Sequence, residues 1–497
     1  MKIIIYNPDG IVSPLMYAVA KEKLNDGEEV IVVECDGNVK GCSYNLIGSK
    51  LVCNYCIKKR EKCKKNLSLN YGSFETIKIN TYFESEDIRV NDFKKFSEYQ
   101  NYFYKEVDVG YASISTVVND FREYKIEKFN EFQKKTLINI FRNCHQYVNA
   151  CEKILETYKP DLVVLFNGRL ISTRPMVRFC HKKNIEFKVY EVCNQGGDIN
   201  VFDNALPHDS HVFLIKSLSF WNGDKIGEKE DLAEKFFINK RNGVFINDTV
   251  YTDRQNVNEL DLKVDKNKRN IVVFNSSQDE LVAIGYDFAT GIFNSQSEAI
   301  KGICETLEPS LFHIYLRIHP NLDGVNSDDL LSLMKLAGEY PNLSVILPNA
   351  PTSSYLLLDI ADVILTFGST LGVEATYWGK PSILLNKAIW GDHDVAYKPS
   401  SKSELFNLLI NSSTLIPKKK ESTYPIAHYW SQYGRKQMYF SGSYQKGHFL
   451  AGKSCQPSLI YKVFYVLYKV SNQIKSGNKL YNRKLLTKAN KILRFRS

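Results

Sequence analysis

Long apolar runs are what this 497-residue chain most conspicuously lacks. No stretch reaches the roughly 20 apolar residues that span a bilayer, which argues against a transmembrane helix. The opening MKIIIYNPDG is too short in apolar residues for a secretory leader and runs straight into patterned sequence. A cytoplasmic protein is therefore expected. Acidic residues are missing from one region, since no Asp or Glu follows Glu421 while Lys and Arg recur to the end. No internal repeat, low-complexity tract or nucleic-acid motif is present, which argues against a DNA- or RNA-binding role despite the net charge of +10.

What is present is a soluble α/β composition of 44% hydrophobic and 24% charged residues, in a chain too long for one ordinary core. KIIIY, EEVIVVEC, DLVVLFNGR, FKVYEV and HVFLIKS read as strands alternating with helices. Ser13-Pro14 reads as the start of the first helix, and residues 97–159 as largely helical. Residues 240–269, rich in Asn, Asp and Lys, read as a linker. IVVF, IYLRI, LSVIL, DVILTF and SILL then form a second α/β unit. The expected architecture is two Rossmann-like domains facing across a cleft: 1–245 with a helical insertion, a linker at 246–269, and a second domain at 270–415. A basic helical tail at 416–497 is expected to return over the first domain.

Polar residues gather where strands end, and in such sheets ligands bind beyond the carboxyl ends of the strands. In TFGSTLGVEATYWGKP the strand stops at Gly368, and Ser369 or Thr370 can cap a helix whose N–H groups attract phosphate. Glu374, a turn further on, can accept from ribose hydroxyls. His319-Pro320 ends IYLRI, with Arg317 two residues earlier on the same face. Ser276 and Ser277 hold the equivalent place after IVVFN. Each also has a plainer reading as a cap or turn residue.

In the first half the candidates are less distinct: Asp9, Asp108 with Gly110, Asn167 with Arg169, and Glu191. Asp9 and Asp108 are the candidate general bases, with turn formation or capping as the alternative. Cys35, Cys42, Cys53, Cys56 and Cys63 crowd together, and Cys53-Asn-Tyr-Cys56 has ligand spacing. A structural zinc at Cys35, Cys42, Cys53 and Cys56, ordinary thiols in a basic loop (residues 58–65), and a redox pair all stay open. Ten Lys and Arg between Lys462 and Arg496 suit an anionic membrane surface, or a helix packed on the body with its lysine stems over apolar surface.

RIHP, TFGSTLGVEATYWGKPSILL and FNSSQDE together resemble the C-terminal domain of bacterial capsule and surface-polysaccharide glycosyltransferases of GT-B type. The pattern is similar to capsular Kdo transferases, polysialyltransferases and CDP-glycerol glycerophosphotransferases. It covers about residues 270–390. The resemblance implies that His319, Pro320, Ser369 and Thr370 contact the phosphates of a nucleotide-sugar donor, CMP favoured slightly over UDP, with no cofactor required. It implies a glycan or lipid-linked acceptor at the inner membrane face. The paired-acid and glycine motif of bacterial sialyltransferases is approached only by Glu106-Val-Asp108-Val-Gly110, at a different spacing. A CDP-glycerol-type transferase, a UDP-sugar 2-epimerase and a non-catalytic membrane-associated scaffold remain the alternatives.

Overall fold

A computed structural model describes residues 1–10, 13–69, 73–84, 93–193, 198–223, 228–244, 255, 262, 264–289, 291–443 and 447–477. The chain forms two compact units, Met1–Pro207 with Gly434–Ser497, and His208–Tyr433. This differs from the expected boundaries. The helices Ser210–Gly223 and Lys229–Arg241, placed by sequence in the first domain, belong to the second unit. Most of the expected linker lies outside the described residues.

The first unit is built on β1 (Lys2–Tyr6), β2 (Glu29–Glu34), β3 (Glu75–Lys78), β4 (Leu162–Phe166), β5 (Glu186–Val192) and β6 (Ile199–Asp203), in the order β3-β2-β1-β4-β5-β6. All pairs are parallel except β5 with β6. Continuous apolar runs such as LVVLF, buried at every position, are what a sheet covered on both faces requires. The long Glu131–Tyr158 helix, started by the Asn130–Gln133 capping box, covers one face.

The second unit carries β7 (Arg269–Phe274), β8 (Phe312–Arg317), β9 (Leu343–Ile346), β10 (Val363–Thr366) and β11 (Ser382–Leu384), all parallel, in the order β11-β10-β7-β8-β9. The order reverses between β7 and β10, which makes a topological switch point there. HVFLIKS proves helical rather than extended. Asp209 Oδ1 accepts from the N–H groups of His211 and Val212, both at 3.0 Å, and so caps the helix.

After Tyr433 the chain rejoins the first unit. A small antiparallel sheet, β12 (Phe440–Ser443), β13 (Gly447–Leu450) and β14 (Lys453–Ser454), places Phe440, Leu450 and Cys455 in the same buried cluster as Ile3, Ile5 and Leu15. The C-terminal helix Leu459–Lys475 follows. Tyr465 stacks on Tyr55 with ring centroids 5.0 Å apart, the Tyr468 hydroxyl accepts from the Leu46 N–H at 2.7 Å, and Lys469 pairs with Asp120 at 2.6 Å. Of the ten basic tail residues, those after Lys475 lie outside the described residues. Among the described residues no helix is long and apolar enough to cross a membrane.

Candidate functional site

In the second unit, β8 and β10 flank β7, so the turns after these three strands are neighbours at one edge. Asn275, Ser276 and Ser277 follow β7. The Asn275 side-chain oxygen accepts from the His319 N–H at 2.6 Å, which ties the end of β7 to the end of β8. Ser276 is held through its backbone by Gln296, and buried Ser277 opens the helix Gln278–Ile284. His319 caps the short 3-10 turn Pro320–Leu322. Its Nδ1 accepts from the Asn321 N–H at 3.0 Å, leaving Nε2 as the donor of the neutral ring. Asn321 in turn donates to Glu280 and, at 3.4 Å, to Ser277.

After β10, Gly368 adopts φ +122°, a backbone conformation that favours glycine and that turns the chain toward Ser369 and Thr370. The helix behind them, Leu371–Tyr377, is only seven residues long. Its first amides are already engaged: Ser369 Oγ accepts from Leu371 at 3.3 Å, the Ser369 carbonyl from Gly372, and the Thr370 carbonyl from Val373 and Glu374. The expected row of open N–H donors is therefore largely closed, and hydroxyl groups are what this turn offers a phosphate.

Two further expectations need correction. Glu374 is buried, not poised for ribose. Its carboxylate pairs with Lys240 at 2.6 Å and accepts from the hydroxyls of Tyr355 and Thr370. Arg317 is also buried, its guanidinium donating to the carbonyls of Leu347 and Ala350 and thus pinning β8 to the chain leaving β9. Burial draws its pKa down to about 10. Both residues brace the site from behind.

In the first unit, the two acids expected to act as bases differ sharply. Asp108 precedes the helix Val109–Phe121, where Gly110 is needed because a Cβ would lie 1.9 Å from the Tyr99 carbonyl oxygen. Burial works to raise the Asp108 pKa, but Arg174 at 3.0 Å and a two-pronged contact from Arg178 at 2.9 Å hold it down to about 2. So tightly paired a carboxylate is a poor proton acceptor. Asp9 lies just beyond β1, and burial pushes its pKa up to about 6 against the opposing pull of the Ser172 hydroxyl at 2.5 Å and of Arg60. Glu191, at the end of β5, is pushed up to about 7 by burial, opposed by Asn167, whose amide donates at 3.0 Å, and by Arg169.

Asp9 lines a small cavity of about 30 Å³ that also takes in Cys35, Cys42, Cys53, Cys56 and Arg60. Residues 50–66 form a helix rather than the expected loop, which puts Cys53 and Cys56 one turn apart. Cys35 accepts from the Gly37 N–H and Cys53 from Asn45. Burial raises all four thiol pKa values, that of Cys56 to about 12. Among the described residues no group of three or more His, Cys, Asp or Glu can hold a metal ion, so the zinc expectation finds no ligand set.

Sequence reasoning missed Asn275, Asn321, Lys240, Tyr355 and Arg60. Arg60 was legible in principle, because Val52, Cys56, Arg60 and Cys63 recur at helical spacing and mark one face.

No family model and no curated protein matches the sequence. Solved structures with a related course of the chain include a β-Kdo 2,7-transferase, KpsC of Thermosulfurimonas dismutans. It is 12% identical, with 56% of this chain and 79% of that one covered, at a TM-score of 0.34. A calicheamicin glycosyltransferase is 13% identical over 86% of this chain and 94% of its own, at a TM-score of 0.26. The UDP-GlcNAc 2-epimerase of Neisseria meningitidis is 11% identical over 86% and 97%, also at 0.26.

Proposed function

We propose that this protein is a glycosyltransferase moving a sugar from a nucleotide-sugar donor to a surface polysaccharide or lipid-linked acceptor. One observation carries the reading. Ser276–Ser277, His319–Pro320 and Gly368–Thr370 follow three adjacent strands at the switch point of the second sheet, where a phosphorylated ligand binds in this architecture. His319 Nε2–H and the hydroxyls of Ser276 and Ser369 would stabilise the charge that develops on the departing nucleotide.

On the acceptor side the reading assigns the proton to Asp9. An acceptor hydroxyl gives its proton to the Asp9 carboxylate as its oxygen bonds to the sugar. The bond from the sugar to the donor phosphate breaks, and its electron pair leaves with the nucleotide. A carboxylate with a pKa of about 6 suits that task far better than Asp108.

The reading includes peripheral attachment to an anionic membrane through the C-terminal helix. Ile460, Leu467 and Ile474 lie seven residues apart and are exposed by 58%, 50% and 59%. Its opposite face is tied down by Tyr465, Tyr468 and Lys469. With no acid anywhere after Glu421, a second copy would meet this face with like charge, so an anionic lipid surface is the better partner.

The test is transfer by the purified chain across a panel of CMP-, UDP- and GDP-sugars, with His319→Ala alongside. Loss of one charge-stabilising donor is expected to lower the rate by about a hundredfold. Unimpaired His319→Ala removes the donor-site assignment, and donor turnover without any acceptor points to an epimerase instead.

A further inference from the structure

Asn167, Arg169 and Glu191, three polar residues at strand ends of the first unit, have no part in the transfer described above. The fold brings them together. Phe166, the last residue of β4, pairs with Tyr190 of β5, so Asn167 and Glu191 stand side by side at the carboxyl edge of the sheet. That edge is where ligands bind in open α/β sheets. The turn after β4 is tightly specified. Asn167 holds φ +66° and Gly168 φ +84°, two consecutive left-handed residues, and a Cβ on Gly168 would lie 2.6 Å from Leu206. Left-handed backbone is uncommon outside glycine, and Asn is among the residues that tolerate it best. Here it sets the Asn167 amide 3.0 Å from Glu191 Oε1 and lets the Asn167 side-chain oxygen accept from the Arg169 N–H at 3.3 Å.

Glu191 is poorly satisfied for so recessed an acid. Glu34, Asp108 and Glu374 each touch a Lys or Arg. Glu191 accepts one hydrogen bond, from Asn167, while Arg169 acts on it as a nearby positive charge without an ion-pair contact. A carboxylate has about four acceptor positions, so most of its capacity is unused. Burial pushes its pKa up to about 7, yet Glu191, Asn167 and Arg169 are all half-buried and keep solvent-facing surface. An under-satisfied carboxylate in an open recess, beside an amide and a guanidinium, is the pattern a ligand completes. Vicinal hydroxyls fit it: two O–H groups donate to the two carboxylate oxygens while Arg169 donates to a further sugar oxygen. The opposite charges of Glu191 and Arg169 offset each other, so the recess has no net preference for an ion.

We propose that Glu191, with Asn167 and Arg169, forms a subsite that holds a neutral sugar of the acceptor through a pair of its hydroxyls. Calling that ligand an acceptor rests on the transferase reading; the preference for a hydroxyl pair does not.

Saturation-transfer NMR on the full-length chain without donor tests this, with glucose, galactose, N-acetylglucosamine and glucuronic acid as probes. At least one of the three neutral sugars is expected to bind in the millimolar range, with glucuronic acid no tighter. Glu191→Ala is expected to weaken that binding by about tenfold or more, the cost of losing hydrogen bonds to a charged group, and Glu191→Gln to fall between. Should Glu191→Ala fail to fold, Glu191→Gln decides. That variant also separates a binding group from a structural one. The raised pKa means that ionised Glu191 costs stability, so Glu191→Gln is expected to raise Tm at about pH 8 while sugar binding weakens. Failure of all three neutral sugars to bind at tens of millimolar overturns the proposal. So do binding of glucuronic acid alone, undiminished binding by Glu191→Ala, and a lowered Tm in Glu191→Gln. Because no donor is present, these outcomes are independent of the His319→Ala result.

Discussion

Asp9 and Asp108 look alike in the sequence, each an acid one or two residues before a glycine and after an apolar or aromatic segment, but their environments drive them apart. The ordinary carboxyl pKa of 3.8 rises to about 6 at Asp9. The folded state therefore holds that proton more tightly than the unfolded chain does. Ionisation then costs stability that is lost progressively between about pH 4 and pH 6, roughly 3 kcal/mol in all. Asp9→Asn removes that cost. It is expected to raise Tm at about pH 8 and much less at about pH 4, while transfer falls by about a hundredfold or more. In the unaltered enzyme the rate should fall as pH drops through about 6, an acid limb absent from any residual Asp9→Asn activity. Asp108 has the opposite sign. Its pKa of about 2 contributes stability that is present above about pH 4 and lost as pH falls toward 2. Asp108→Asn leaves buried Arg174 without its counter-charge and should destabilise the fold by about 3 kcal/mol or more. Chemical denaturation reads this directly, and activity per folded molecule should be nearly unchanged.

At the scale of elements, short apolar runs are where sequence reading divides. IVVF, IYLRI and DVILTF became strands because each runs unbroken into a Gly, Pro or polar turn. HVFLIKS has the same composition but continues for fourteen residues, with Asp209 capping its start, and packs as a helix through Phe213 and Ser217. The C-terminal helix was expected either on a membrane or on the body. It packs on the body through one face and leaves Ile460, Leu467 and Ile474 outward on another. Cosedimentation with vesicles containing phosphatidylserine should therefore fall by about tenfold in Leu467→Glu, with binding to neutral phosphatidylcholine vesicles weak throughout. Equal binding by Leu467→Glu and the parent would remove the helix from the membrane reading.

For the whole molecule, the chain leaves the first unit at Pro207 and returns at Gly434. A chain ending at Tyr433 would strip Phe440, Leu450 and Cys455 from a shared cluster and uncover Tyr55. It should be insoluble or lose most of its cooperative thermal transition. The alternation of strands and helices, the five strands of the second unit and the polar turns at their ends were all determined by local pattern. Periodicity and turn residues act over a few positions, so one sequence suffices to read them. Tertiary structure alone decided that Glu374 and Arg317 brace the site, that Arg174 and Arg178 capture Asp108, and that Asp9 shares a cavity with Arg60. Those outcomes depend on burial and on charges brought from distant segments, and neither is encoded in the neighbouring residues.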